Sequence, residues 1–116
     1  MKVLCVRLGG DRESDPWLTL NKEYLVVSVE FRPRGVARLR IIADDERTPI
    51  LVDSYHFAVN REPLPLSWVC TIREEGTMEF EPKSWAALDF WERYFDREPV
   101  AVATFDEELR RMTEAD

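Results

Sequence analysis

Apolar and polar residues alternate through much of the first 80 positions and then change period. In residues 23–31, Leu25, Val27, Val29 and Phe31 share one parity and Ser28 and Glu30 the other. This period-two pattern predicts a strand with the first set facing a core. Residues 36–43 repeat it, with Leu39 and Ile41 inward and Arg38 and Arg40 outward. Between the two, Arg32-Pro33-Arg34-Gly35 carries Pro at the second and Gly at the fourth position, as a type I turn prefers. Residues 2–8 are mostly apolar and predict a buried strand ended by Gly9-Gly10. Residues 49–53 predict a short strand whose opening Pro49 suits a strand start or a sheet edge. Residues 67–73 put Trp68, Cys70 and Ile72 on one face. They turn at Glu74-Glu75-Gly76 and return over 77–81 with Met78 and Phe80 sharing a face, which reads as a hairpin. Residues 55–59 fit either period, and 60–65 read as a Pro-containing loop.

From residue 84 the period becomes about 3.6. In SWAALDFWERYFD (84–96), Leu88, Trp91 and Phe95 cluster with Ala87 and Tyr94 on one arc, and Asp89, Glu92, Arg93 and Asp96 lie opposite. The arc predicts an amphipathic helix, N-capped by Ser84, that covers the sheet. Phe90 falls on its flank and Trp85 near its polar side, so the main arc accommodates neither. Glu98-Pro99 interrupts the chain. Thr104 and Glu107 have capping-box spacing, and Phe105, Leu109 and Met112 recur at i, i+4 and i+7, predicting a last short helix with Arg110 and Arg111 near its C-terminus. Strands followed by helices indicate an α+β fold: a small antiparallel β-sheet or SH3-like barrel of about six strands followed by two C-terminal helices, in one domain over 1–116.

Composition sharpens this picture. Hydrophobic residues make up 45% and aromatic residues 11% of the 116, enough for a packed core. The N-terminal apolar run is too short for a signal peptide, and no stretch approaches the ~20 apolar residues of a membrane span, so a cytoplasmic protein with no membrane partner is expected. Cys5 and Cys70 are accordingly expected to be free and buried. Net charge is −7, and the excess lies in the second half: residues 1–60 hold nine basic and nine acidic residues, residues 61–116 seven and fourteen. Such a field repels phosphate backbones and attracts basic partners.

Candidate chemistry is sparse. A single histidine, His56, excludes two-histidine metal and acid–base sites within one chain, and no G-x-S-x-G elbow surrounds a serine. His56 reads as an exposed or edge-strand residue. Asp44, Asp45, Glu46 and Asp53 form the densest local acid group outside the helices. They lack EF-hand spacing and suit a solvated turn or a partner-facing acidic knob. Glu79 and Glu81, alternating with Met78 and Phe80, read as solubilising charges on an outer strand face. The Arg32–Arg40 hairpin, with Arg32, Arg34, Arg38 and Arg40, is a local basic patch. It could serve a small-barrel regulatory or nucleic-acid-binding module, but it lacks exposed stacking aromatics and reads first as cross-strand pairing with Glu23 or Glu30. Gly9-Gly10 is not a phosphate-cradling loop. No metal, no cofactor and no enzymatic activity are expected.

The layout LPLSW, then EPKSW, then DFWERYFD with an acidic helix after it resembles the small acidic bacterial immunity proteins of contact-dependent or polymorphic toxin systems, over roughly the second half of the chain. The resemblance implies a non-enzymatic inhibitor that binds a cognate protein toxin. Acidity suits a basic, nuclease-like one. The contact residues expected on this reading are Asp44, Asp45, Glu46 and Asp53, with Tyr55 as an anchor, and secondarily Asp89, Glu92 and Asp96.

Overall fold

The computed structural model describes residues 1–10, 12–58 and 63–115. Six strands are followed by two helices: β1 (Lys2–Leu4), β2 (Glu23–Phe31), β3 (Arg38–Ile42), β4 (Pro49–Asp53), β5 (Trp68–Ile72), β6 (Met78–Pro82), α1 (Phe90–Phe95) and α2 (Pro99–Ala115). Every pairing is antiparallel, and the strand order is β4-β3-β2-β6-β5, with β1 on the first residues of β2. After β4 a 3-10 turn (Ser54–His56) brings Phe57 opposite Cys5. Val6 N–H donates to the His56 carbonyl (2.8 Å) and Ala58 N–H to that of Leu4 (3.0 Å), so β1 to β4 follow one another round a ring. The α+β class expected from the strand and helix order is what the chain forms.

β2 is the centre of the molecule, and both its faces are covered. Between Val26 and Ser28 the register against β3 advances two residues for one, a β-bulge. The extra residue inverts the parity. Tyr24, Val26 and Val29 join Val3, Cys5, Leu39, Ile41, Val52 and Phe57 in one core. Val27, with Leu25 and Ile42 beside it, packs against Trp85, Phe90, Tyr94, Ala101 and Phe105 in a second. The single inward face expected of Leu25, Val27, Val29 and Phe31 is thus split by one residue. β1 is shorter than expected and alternates, Val3 and Cys5 being buried and Leu4, Val6 and Leu8 exposed. Part of the ambiguous stretch, Val59, and part of the expected loop, Asn60, Arg61 and Glu62, lie outside the described residues.

The helical region departs most from its sequence pattern. Lys83–Trp85 is a 3-10 turn, and α1 begins only at Phe90, after Asp89, which makes no capping bond. The wheel drawn from Ser84 therefore has the wrong origin. Leu88 is 73% exposed and Phe95 49%, whereas Trp85 and Phe90, the two rings that the wheel leaves out, are buried. Trp85 stacks on Phe90 (6.2 Å between centroids) and Phe105 (5.0 Å) and forms the middle of the second core. Thr104 caps nothing. Pro99 opens α2 as the first helical residue, where its missing N–H costs nothing, and the helix runs through Thr104 without a break. Phe105, Leu109 and Met112 do face the core, as their spacing predicts.

Candidate functional site

The acidic β3–β4 turn is built by its own side chains. Asp44 accepts from the Thr19 hydroxyl (2.7 Å), the Tyr24 phenol (2.5 Å) and Lys22 Nζ (3.2 Å). Burial pushes its carboxyl upward, but these three donors together hold it below the ordinary range. The same contact and burial push the Tyr24 phenol up to about 12, burial being the larger cause. Asp45 accepts from the N–H groups of Arg47 (3.0 Å) and Thr48 (2.8 Å) and from the Thr48 hydroxyl, an Asx turn that fixes the loop. These two carboxylates hold the turn together. Glu46 alone of the three projects without such bonds, from a left-handed backbone (φ 60°).

This turn and the α1–α2 corner border one cleft of about 280 Å³, lined by Asp45, Glu46, Arg47, Tyr94, Arg97 and Asp106. The corner is a Schellman turn: Glu98 N–H donates to the Arg93 carbonyl and Arg97 N–H to that of Tyr94, with Arg97 (φ 65°) where glycine is usual. Two of the expected acidic groups are thereby brought to the same end of the molecule. Just before α1, Asp89 pairs with Arg93 (3.3 Å). Glu92 and Asp96 are exposed, and neither carboxylate has a partner among the described residues. Leu88, in the turn before α1, is exposed, as are Phe95 at the end of α1 and Val100 (67% exposed), the second residue of α2, with Asp96 next to Phe95 and Glu92 one turn before it. From the turn before α1 to the start of α2, exposed apolar side chains therefore alternate with free carboxylates.

The other two expected residues lie elsewhere. Asp53 ends β4 opposite Arg38 in the β3–β4 register, four residues and roughly 13 Å of strand from the turn, and its carboxylate lies 3.7 Å from Arg32. Tyr55 is exposed in the seam between Val6 and His56, its ring under the Arg7 guanidinium (4.5 Å) and its carbonyl bonded by Arg7 Nε. They form no patch with Asp44 to Glu46.

Of the hairpin arginines, Arg38 binds Glu30 through Nε (2.8 Å) and Nη2 (2.6 Å), and Arg32 lies between Glu30 and Asp53. Arg40, expected to face outward, is covered by α1, its guanidinium 4.0 Å from the Trp91 ring centre. Only Arg34 projects freely. His56 is buried rather than exposed, and its Nδ1–H donates to the Arg7 carbonyl (3.1 Å), which the Cys5 thiol also reaches (3.8 Å). Burial raises the Cys5 thiol above its ordinary value, so it is no poised nucleophile. Both cysteines are free, but Cys70 is exposed, contrary to expectation. Among the described residues no three His, Cys, Asp or Glu side chains converge as a metal site, and no helix is long and apolar enough to cross a membrane.

The residue that the pattern misplaces most is Glu81. It is 1% exposed, beneath α1, and its Oε1 accepts from Trp91 Nε1 (3.0 Å). The available signal was the run Tyr24-Leu25-Val26-Val27. A strand apolar at both parities is covered on both faces, so polar residues on the helix side of its neighbours are buried too. No family model matches the chain, and neither a curated protein nor a solved structure matches it.

Proposed function

We propose that this chain is a non-enzymatic, immunity-type binding protein that masks a basic, nuclease-like protein toxin in the cytoplasm, and that the outer face of α1 is its docking surface. The observation that carries the reading is the exposure of Leu88, Glu92, Phe95, Asp96 and Val100 between the turn before α1 and the start of α2. The apolar residues among these are exposed although the core beneath α1 is already filled by Trp85, Phe90, Tyr94 and Phe105. Folding therefore does not explain them. Aromatic and aliphatic anchors ringed by charge are the anatomy of an interface hot spot. Free carboxylates on a chain of net charge −7 steer a cationic partner and set the salt dependence of its association. Asp45, Glu46 and Asp106, round the corner in the cleft, extend the acidic rim.

The test is co-expression with the product of the adjacent reading frame. A stable one-to-one complex and relief of growth inhibition are expected. Phe95→Ala combined with Glu92→Lys and Asp96→Lys should abolish both without changing the far-ultraviolet circular dichroism. Absence of a complex refutes the reading, and a complex indifferent to these three substitutions refutes the site.

A further inference from the structure

The sheet ends at β5, and that edge is unlike the rest of the surface. Its apolar side carries Cys70, exposed, and Ile72, 68% exposed, and continues across the sheet onto Met78 and Phe31, which lie opposite one another between β6 and β2. Phe31 rests edge-on against Phe80 (5.7 Å). Leu66, at the approach to the strand, is fully exposed. From Leu66 to Ile72 there is no charged residue. Natural sheet edges are usually blunted by charge, proline or a bulge, and among the described residues β5 has none of these within it.

The hydrogen-bond parity shows which groups are open. Arg73 N–H donates to the Thr77 carbonyl (2.8 Å), so by antiparallel alternation Thr71 and Val69 bond to β6, opposite Glu79 and Glu81. Trp68, Cys70 and Ile72 then direct their backbone groups to the free edge. Trp68 stands opposite Pro82, which has no N–H to offer it, in keeping with that parity. Trp68 N–H is already bonded to the Pro65 carbonyl (3.1 Å). The open groups are thus the N–H and C=O of Cys70 and Ile72 and the C=O of Trp68.

We propose that β5 is a homodimerisation edge, pairing antiparallel with β5 of a second copy about a two-fold axis at Cys70. In that register the two Cys70 residues exchange two hydrogen bonds, and each Ile72 N–H reaches the Trp68 carbonyl of the second copy, four bonds in all. Every outward N–H that is free finds an acceptor. On the apolar side Trp68 meets Ile72 of the second copy and Cys70 meets Cys70. On the other side Val69 meets Thr71. Charge selects the same arrangement. Two chains of net charge −7 repel, and here Arg73 faces Ser67, and Glu74 faces Leu66, of the second copy, so no like charges stand opposite. An isologous interface of this kind is the commonest way that copies of one chain associate. This inference is independent of the α1 docking reading.

The directly opposed Cys70 residues supply the test. Cα atoms of a hydrogen-bonded antiparallel pair are ~5.5 Å apart, within disulfide range. In reducing buffer, sedimentation equilibrium of the full chain should give a mass that rises with concentration from 13.7 kDa towards twice that value. Diamide, which accepts the two electrons and two protons of a thiol pair, should convert it to a Cys70–Cys70 linked dimer. Ile72→Lys, which keeps the thiol, should lower the association constant at least tenfold and lose the rapid cross-link. Cys70→Ser should lose only the cross-link, because Cys5 is inaccessible. A constant 13.7 kDa at all concentrations overturns the proposal, as does a dimer that survives Ile72→Lys or forms no Cys70 cross-link.

Discussion

Replacing Glu81 with glutamine should make the protein less sensitive to pH, and more stable above neutrality. Burial is the main reason that the Glu81 carboxyl is raised from 4.5 to about 7. Glu79, on the same strand, pushes the same way. The Trp91 hydrogen bond from α1, Arg40 on β3 and Arg73 after β5 pull it down without cancelling burial. Its Oε2 has no partner, which suits a neutral carboxyl better than a charged one. Below 4.5 both the folded and the unfolded chain hold this proton. Between 4.5 and about 7 only the folded chain holds it, so stability falls as the pH rises through that window and is level above it. At about 1.4 kcal/mol per pH unit the whole window is worth roughly 3 kcal/mol, most of it taken up in the step from pH 5 to pH 8. Glu81→Gln keeps an acceptor for Trp91 and removes the titration. Urea unfolding of both proteins at pH 5 and pH 8 gives the double difference, in which carboxylates common to both, such as Asp44 and Asp45, cancel. The wild type should lose about 2–3 kcal/mol more than the variant between the two pH values. Equal losses would refute the argument that a buried Glu81 is neutral in the folded chain at pH 5 and charged at pH 8.

Three further outcomes follow from the packing. Asp44→Ala leaves the buried Tyr24 hydroxyl without its carboxylate and should cost about 2 kcal/mol, read as a lower thermal midpoint; an unchanged midpoint contradicts the hub role of Asp44. Trp85→Ala opens a cavity between Phe90 and Phe105 and should cost about 3–5 kcal/mol in chemical denaturation; a loss below about 1 kcal/mol means the second core does not depend on this ring. Arg97→Gly relieves the left-handed backbone at the α1–α2 corner and should gain up to about 1 kcal/mol, seen as a higher guanidinium midpoint; a loss means that the Arg97 side chain contributes more than its backbone costs.

The fold was largely legible because alternation is local. The bounds of β2 and β4, the hairpin at Gly76 and the inward positions of Leu39 and Ile41 all follow from period two and turn chemistry. What was illegible is tertiary. A one-residue bulge after Val26 changes no propensity, yet it decides that Val27 faces the helices and Val29 the other core. The 3-10 turn at Lys83–Trp85 shifts the origin of the helical wheel, which moved Trp85 and Phe90 inward and Leu88 and Phe95 outward. Of the candidate contact residues, Asp44 was visible in an acidic cluster but not as a hydrogen-bond hub, because its donors, Thr19, Lys22 and Tyr24, depend on which segments meet, whereas the donors to Asp45 are its neighbours Arg47 and Thr48 in the same turn. Glu92 and Asp96 needed only the polarity of their own helix, and they remain free at the surface.

Covering β2 on both faces has a consequence for where this chain can bind anything. The strand fills two cores at once, so its immediate neighbours spend their inner faces on it, and even the charged Arg40 and Glu81 are enclosed beneath Trp91. Surface chemistry is thereby displaced to the last element of each layer. In the helical layer that is the outer side of α1 and the turn before it, where Phe95 and Leu88 are exposed. In the sheet it is β5, an end strand that pairs only with β6. The first is apolar with free carboxylates around it, which favours a cationic partner. The second is apolar, uncharged and rich in open backbone groups, which favours a strand. The two surfaces differ in the very property, charge, that salt concentration tunes. Raising the salt should therefore weaken association through α1 while leaving pairing through β5 unchanged or slightly strengthened, since the repulsion between two copies is screened.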